Sequence, residues 1–276
     1  MPWFPEFLNA AELARRHVRA AGQADPVGQY LAALNEGDVH ALEDVWPGEV
    51  AVYDPRAGEV RGHRELRRFV VRSRELLAGH RAHIDAASSI VAGDRAVVEL
   101  MVRLEVDGRH ATWPVAVVAQ SSDDRSVVFR SYLCQRTVFP GHYRRPPILK
   151  AGSIHPGDVV GRYLAALSAG DAGAVAGTFA PDGYLREPIA ADRAHRGTAA
   201  LRAYFEDWLR AGGVDVECCA VTDDGVRCAV EYNVVRWGGR DMPPQAGIAV
   251  FERAADGLLA SAHLYDDVEA PATVQR

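Results

Sequence analysis

The fold is decided by a stretch that occurs twice, QYLAALNEGDVHAL at residues 29–42 and RYLAALSAGDAGAV at residues 162–175. Tyr30 and Tyr163 hold the same place in the two stretches and are 133 positions apart (163 − 30). A repeat of this period in a chain of 276 residues predicts two similar domains and not one large domain.

The repeat also predicts where each domain begins and ends. We place the first domain at residues 25–139 and the second at residues 157–270. Residues 140–156 are rich in Pro, Gly and charged side chains, which is typical of a linker. Residues 1–24 show loose helical spacing of apolar side chains and predict an N-terminal helical extension, and residues 271–276 form a short tail.

Each copy begins with helical patterns and continues with strands. The first helix of each copy is predicted to end at Gly37 or Gly170, and Asp38 or Asp171 is predicted to cap the next helix. After a third helix the apolar period changes to two, as in residues 96–106. This order predicts an α+β fold in which N-terminal helices pack on a curved, mostly antiparallel sheet.

Composition and charge exclude several classes of partner. The formal charge of −6 argues against nucleic acid, and no apolar run is long enough for a membrane helix. The N-terminus lacks the order of a signal peptide, so we expect a cytoplasmic protein with no membrane partner. The cysteines form no CxxC pair and His80 and His83 share no helical face, so we expect neither a metal nor a cofactor.

The motif Tyr-Leu-Ala-Ala-Leu-x-x-Gly-Asp is followed by a strand that ends in Asp-Pro or Glu-Pro, and then by a Gly that opens a helix. This pattern resembles the SnoaL-like and ketosteroid isomerase-like branch of the nuclear transport factor two-like superfamily. The resemblance implies cone-shaped domains that dimerise through their sheets, so two copies imply an intramolecular pseudodimer, with further homo-oligomers open. The superfamily includes isomerases, cyclases, epoxide hydrolases, dehydratases and ligand binders, so the fold alone does not select an activity.

Asp54 and Glu187 are the leading candidates for catalysis. Alternation places Val50, Val52 and Asp54 on one face of a strand, so the carboxylate points towards the apolar interior. A carboxylate in an apolar cavity has a raised pKa and can act as an acid or a base near neutral pH. The alternative is a solvated acid beside a turn proline.

Tyr30 and Tyr163 match the tyrosine of the first helix that, in the isomerases, donates a hydrogen bond to the developing oxyanion. The resemblance therefore implies the same role here, with simple packing as the alternative. The isomerases also use a protonated acid on a central strand. This sequence departs from them there, because small apolar residues stand near the expected place: Ala116 or Val117 in the first copy and Ala246 or Gly247 in the second.

A second pair of acids, Asp85 and Glu217, lies 14 positions before Glu99 and Glu231 respectively (99 − 85 and 231 − 217). Two carboxylates in one cavity tend to separate their pKa values, which suits the opening of an epoxide by an acid and a base. The arrangement resembles the tandem epoxide hydrolase/cyclases of polyether biosynthesis. The alternative is that both acids face solvent from half-buried strands.

Glu99 and Glu231 are also aligned, but alternation places Glu99 opposite an apolar row, so we expect a solvated face. Four aromatic residues are expected to line the core or to bind substrate: Phe69, Trp113, Tyr204 and Trp208.

The sequence thus predicts a cofactor-independent acid–base enzyme that acts on a small hydrophobic polyketide- or steroid-like metabolite. Epoxide hydrolysis or cyclisation is the preferred reaction and isomerisation is the second. The alternative is a noncatalytic small-molecule-binding or scaffold protein. In a third arrangement one copy reacts and the other is structural, which the exchange of Asp54 for Glu187 favours.

Overall fold

The structure is a computed structural model that describes residues 46–269 together with Gly28, Tyr30, His40 and Glu43, which are all helical. The predicted extension over residues 1–24 and the tail over residues 271–276 lie outside the described residues, as do the predicted helix end at Gly37 and the cap at Asp38. The chain divides into two compact units, residues 1–140 and 141–276.

The first unit contains a helix and a six-stranded sheet in its described part. Their bounds are α1 His63–Gly79, β1 Val50–Asp54, β2 Gly58–Arg61, β3 His83–Ala92, β4 Arg95–Val106, β5 Arg109–Ser121 and β6 Val127–Leu133, with a short 3-10 helix at Gln135–Thr137. The strand order is β2-β1-β6-β5-β4-β3. Only β1 and β6 are parallel neighbours in this sheet, since the other pairs are antiparallel.

The second unit repeats this plan. Its bounds are α2 Val159–Ala169, α3 Ala172–Ala176, α4 Thr198–Trp208, β7 Phe179–Arg186, β8 Ala194–Arg196, β9 Val214–Asp223, β10 Arg227–Trp237, β11 Arg240–Arg253 and β12 Leu259–Tyr265. The order β8-β7-β12-β11-β10-β9 is that of the first sheet, and β7 is parallel to β12. The predicted α+β class with two tandem domains is confirmed.

The helix boundaries of the second domain follow from local chemistry. Helix α2 ends at Gly170, whose φ of 71° is in the left-handed region. Asp171 caps α3 by accepting a hydrogen bond of 2.8 Å from the backbone N–H of Ala174. Both predictions are confirmed.

One glycine occurs in front of a helix in both domains for a backbone reason. Gly62 precedes α1 with φ 78° and ψ 155°, and Gly197 precedes α4 with φ 80° and ψ 158°. This region is open almost only to glycine. Both helices therefore begin from the same backbone conformation.

The core of the first domain lies between α1 and the facing side of the sheet. Leu66, Phe69 and Val70 form the buried face of α1, and Val50 and Val52 of β1 are buried opposite them. Burial of each such side chain contributes about 1.5–3 kcal/mol, which offsets the entropy lost on ordering the chain.

The prediction that Glu99 and Glu231 lie on a solvated face is wrong. Their exposed fractions are only 3% and 2%. Ser88 donates a hydrogen bond to the Glu99 carboxylate. On the same side of the sheet, Ala116 and Tyr132 are buried as well. Alternation separates the two faces of a strand, but it does not say which face is exposed to water.

Part of the predicted linker at residues 140–156 runs along the second sheet. The backbone carbonyl of Arg145 accepts a hydrogen bond of 2.9 Å from the N–H of Ala246. The N–H of Gly152 donates one of 2.7 Å to the carbonyl of Cys218. These bonds tie the segment to β11 and β9 of its own unit.

Candidate functional site

A cavity of about 490 Å³ opens between α1 and the sheet of the first domain. Phe69 and Leu76 reach it from α1, and Ile84, Leu100 and Trp113 reach it from the sheet. This volume is in the range that encloses a small organic ligand, and such sites are mostly apolar with a few placed polar groups.

Asp54 is one of the polar groups that line the cavity. It ends β1, and its Oδ1 accepts hydrogen bonds of 2.9 Å from the backbone N–H groups of Arg56 and Ala57 in the following turn. Two such bonds hold the carboxylate in one orientation. Within the described residues no group donates to Oδ2, which leaves that oxygen available to a ligand.

Tyr30 lines the same cavity and is almost completely buried. Its ring stacks on Phe129 at 4.3 Å between centroids, and its hydroxyl is hydrogen-bonded to the Ser131 side chain. Burial, and secondarily the negative charge of Asp54, raise the pKa of Tyr30 far above its ordinary value. The phenol therefore stays protonated at neutral pH and is suited to donate a hydrogen bond to a ligand.

Ser131 belongs to the cavity and was missed by the sequence reasoning. It lies between Phe129 and Leu133 on the inward face of β6, where its neighbours are apolar. The signal was present in the alternation of this strand, because a single polar residue in an inward apolar row is a candidate site residue.

Two of the predicted binding aromatics, Phe69 and Trp113, line the cavity. The Nε1–H of Trp113 donates a hydrogen bond of 2.8 Å to the carbonyl of Cys134, which satisfies the polar edge of the indole. The ring is thereby fixed as a wall.

The predicted second acids lie outside the interior. Asp85 pairs with Arg103 at 2.5 Å and with His83 at 3.3 Å, while its neighbour Ile84 is the residue that lines the cavity. Glu217 is exposed between two residues that pack in the core of the second domain. The arrangement of two carboxylates in one cavity is therefore not formed, because alternation turns both side chains to the opposite face.

Glu187 has a different environment from Asp54. Its Oε1 lies 2.8 Å from Nε2 of His195, whose ring stacks on Tyr204 at 4.1 Å. On the strands, Leu185 pairs with His195. The matching pair in the first domain is Val52 with Val60. An imidazole thus replaces an apolar wall residue. The pKa of Tyr204 is raised chiefly by burial and further by the charge of Glu187.

Tyr163 lies in an aromatic core. Its ring contacts Phe251 edge to face at 5.1 Å, and Tyr204 stacks on Trp208 at 6.3 Å. Burial raises the pKa of Tyr163, and the charge that adds to this effect is that of Asp266. The two equivalent tyrosines therefore respond to carboxylates at different places, Asp54 at the end of β1 and Asp266 directly after β12.

One strand pair explains much of the difference between the interiors. In the first domain Leu100 pairs with Val115, and both line the cavity. In the second domain Tyr232 pairs with Gly247 at the matching place, and its hydroxyl donates a hydrogen bond of 2.5 Å to Asp266. The large ring and the missing side chain fit together, so the second interior is filled from this side.

Within the described residues, no group of three or more His, Cys, Asp or Glu side chains is placed to hold a metal ion. His80 instead contacts the carbonyl of Glu105 through Nδ1 at 2.8 Å. None of the four cysteines, all of which are described, forms a disulfide. None of the helices in the described part of the chain is long and apolar enough to cross a membrane.

Comparison with known proteins adds the family. A family model described as the SnoaL-like domain matches residues 27–129 and again residues 160–262. The steroid Δ-isomerase of Nocardioides simplex is 32% identical over 102 residues, which cover 37% of this chain and 81% of that protein.

Solved structures of single domains are also similar. One, from Sinorhizobium meliloti, is named a "putative polyketide cyclase"; it is 27% identical, with a TM-score of 0.32, over 38% of this chain and 92% of that one. Another is a SnoaL-like protein of unknown function from Burkholderia thailandensis, 20% identical with a TM-score of 0.32, over 38% of this chain and 88% of that one.

Proposed function

Because the chain belongs to the SnoaL-like domain family through a copy in each half, we propose that its first domain is a cofactor-independent acid–base catalyst. The substrate is a small hydrophobic metabolite of polyketide-like or steroid-like character. The observation that carries this proposal is that Asp54 and Tyr30 line one cavity whose walls are mostly apolar.

The proposed reaction is a proton transfer next to a carbonyl group. The Asp54 carboxylate removes a proton from the carbon beside the carbonyl, and the Tyr30 phenol donates a hydrogen bond to the enolate oxygen that develops. Asp54 then returns the proton to a different carbon, which gives an isomer and restores the carboxylate. The similarity to a steroid Δ-isomerase supports this class of reaction.

The residues of the cavity favour isomerisation or an aldol-type cyclisation over epoxide opening. Epoxide opening by paired acids needs one carboxyl group to donate and another to accept a proton. Asp85, the second acid expected for that role, is paired with Arg103 away from the cavity. A single carboxylate with a protonated phenol is instead suited to shuttle one proton.

The test measures turnover of β,γ-unsaturated ketones, followed by the absorbance of the conjugated product, with an epoxide panel in parallel. Asp54→Asn keeps the shape of the side chain and removes the base, so kcat is expected to fall by about 10²–10⁴-fold. Tyr30→Phe removes the donor and is expected to lower kcat by about 10²–10³-fold.

Asp85→Asn is the matched control, because it makes the same chemical change on the opposite face of the sheet and is expected to leave kcat unchanged. Glu187→Gln tests the second domain separately. Wild-type protein that binds apolar ligands but turns over neither panel would favour the noncatalytic binding protein. Full activity in Asp54→Asn would also overturn the proposed role of this residue.

A further inference from the structure

The mouth of the first-domain cavity carries arginines that the proposed reaction does not use. Arg68 and Arg72 reach it from α1, and Arg56 reaches it from the turn after β1. Arg56 and Arg72 are exposed, as expected for an entrance and not for the interior.

Two acids also line this mouth, but each is already neutralised. Glu65 pairs with Arg68 at 2.8 Å. Glu59 pairs with Arg61, and it also accepts a hydrogen bond of 3.1 Å from the Tyr53 hydroxyl. The local charge of the entrance is therefore decided by the groups that remain.

Arg56 and Arg72 are those groups, since neither has a carboxylate partner within the part of the chain that the structure describes. The Arg56 guanidinium lies 4.3 Å from the centroid of the Phe139 ring. Phe139 in turn contacts the cavity wall residue Trp113 edge to face at 6.3 Å. A cation–π contact of this kind positions a guanidinium without neutralising its charge.

The cavity lining thus combines two unneutralised, exposed cations, mostly apolar walls, and the half-buried carboxylate of Asp54, whose negative charge acts on the buried Tyr30. An anion is attracted to the mouth and repelled by Asp54, so it remains at the entrance. Resting on the proposed function of the same cavity, we propose that its substrate is an amphipathic carboxylate. The apolar body with the reacting carbons enters the cavity, and Arg56 and Arg72 hold the carboxylate at the mouth.

The second domain lacks this feature. Leu201 of α4 matches Leu66 of α1 at an offset of 135 (201 − 66), and both are fully buried. At the same offset the place of Arg72 is taken by Asp207. The cationic entrance is consequently a property of the first domain and not of the fold.

The test is a displacement assay on the full chain with fluorescent phenylnaphthylamine as the reporter and decanoate or decanol as the competitor. The two competitors share an apolar chain and differ in charge. Arg72→Ala is expected to weaken decanoate binding about 2- to 5-fold, the effect of an accessible charge pair, and decanol binding less than about 2-fold. Combined Arg56→Ala and Arg72→Ala is expected to weaken decanoate further, and added salt is expected to weaken decanoate alone.

Arg74→Ala is the matched control, because Arg74 is an exposed arginine of the same helix outside the cavity lining. Ser73→Trp introduces at the cavity wall the residue that α4 carries at the matching position, Trp208, and is expected to abolish reporter binding. Equal losses for decanol and decanoate, equal effects of Arg72→Ala and Arg74→Ala, or no displacement by decanoate would each overturn the inference. None of these outcomes depends on turnover, so failure of the catalytic role of Asp54 is detected separately.

Discussion

Gly247 on β11 faces the ring of Tyr232 on the neighbouring strand, and this contact tests why the second interior is filled. A Cβ at position 247 would lie 2.6 Å from Cε2 of the ring and 2.9 Å from the phenolic oxygen. Carbon atoms in ordinary contact are about 3.5–4.0 Å apart, so the ring has to retreat by about 1 Å. That retreat disrupts the hydrogen bond of 2.5 Å from the phenol to Asp266.

Gly247→Ala is therefore expected to lower the free energy of unfolding of the second domain by about 2 kcal/mol. Overpacking of a core costs about 1–3 kcal/mol, and a hydrogen bond to a charged group contributes about 1.5–3 kcal/mol. These terms do not add in full because the ring relaxes. The substitution also recovers about 0.5–1 kcal/mol of this loss, because Gly in a strand interior is less stable than Ala by that amount.

Hydrogen exchange followed by peptide mass spectrometry measures the effect in each domain of the intact chain. Amides of β10 and β11 that exchange only when the domain unfolds are expected to exchange about 30-fold faster than in the wild type. The exchange rates of amides in β4 and β5 are expected to remain unchanged. Tyr232→Leu is the partner variant because it removes the ring. In that background Gly247→Ala is expected to be neutral or stabilising, and an equal loss in both backgrounds would refute the steric reasoning.

Two further predictions concern backbone strain and pH. Gly62→Ala is expected to destabilise the first domain by about 1–2 kcal/mol in urea unfolding, because φ is 78° and ψ is 155° at this position. Gly79→Ala is the control, since position 79 also has open space around it but has no positive φ. This variant is expected to be neutral or slightly stabilising. A hydrogen bond from Ser168, and secondarily the pairing with Arg236, lower the pKa of Asp215. The Asp215 carboxylate therefore stabilises the fold fully above its unfolded pKa of about 3.9. This stabilisation is lost as the pH falls through the lower pKa of the folded state. The stability difference between wild type and Asp215→Asn is thus expected to narrow as the pH falls below about 4, and a constant difference there would contradict the linkage.

The repeat made the fold predictable because it can be recognised from the order of the residues alone, without knowledge of which residues are in contact. Caps such as Asp171 and Gly170 also act within a few residues, so their roles could be predicted without knowledge of the fold. The inward direction of Asp54 followed from alternation in a short strand and agrees with its place in the cavity lining.

Predictions that depend on which face of a sheet is buried and which is exposed were less successful. Asp85 was matched with Glu217 by counting positions, and counting does not say which face of the strand is inward. Glu99 was expected in solvent although its exposed fraction is 3%. Burial of a face depends on what lies above it, and that is set by contacts between distant parts of the chain.

The sequence by itself determined that the chain consists of two α+β domains, and it placed an acid and a tyrosine at the same position in each. Only the tertiary structure decided that Asp54 lines an open cavity while the second interior holds a Tyr232 ring against Gly247. The physical reason is that the space in an interior is set by the volumes of side chains that meet across strands. Leu100 with Val115 leaves room there, whereas Tyr232 with Gly247 fills it.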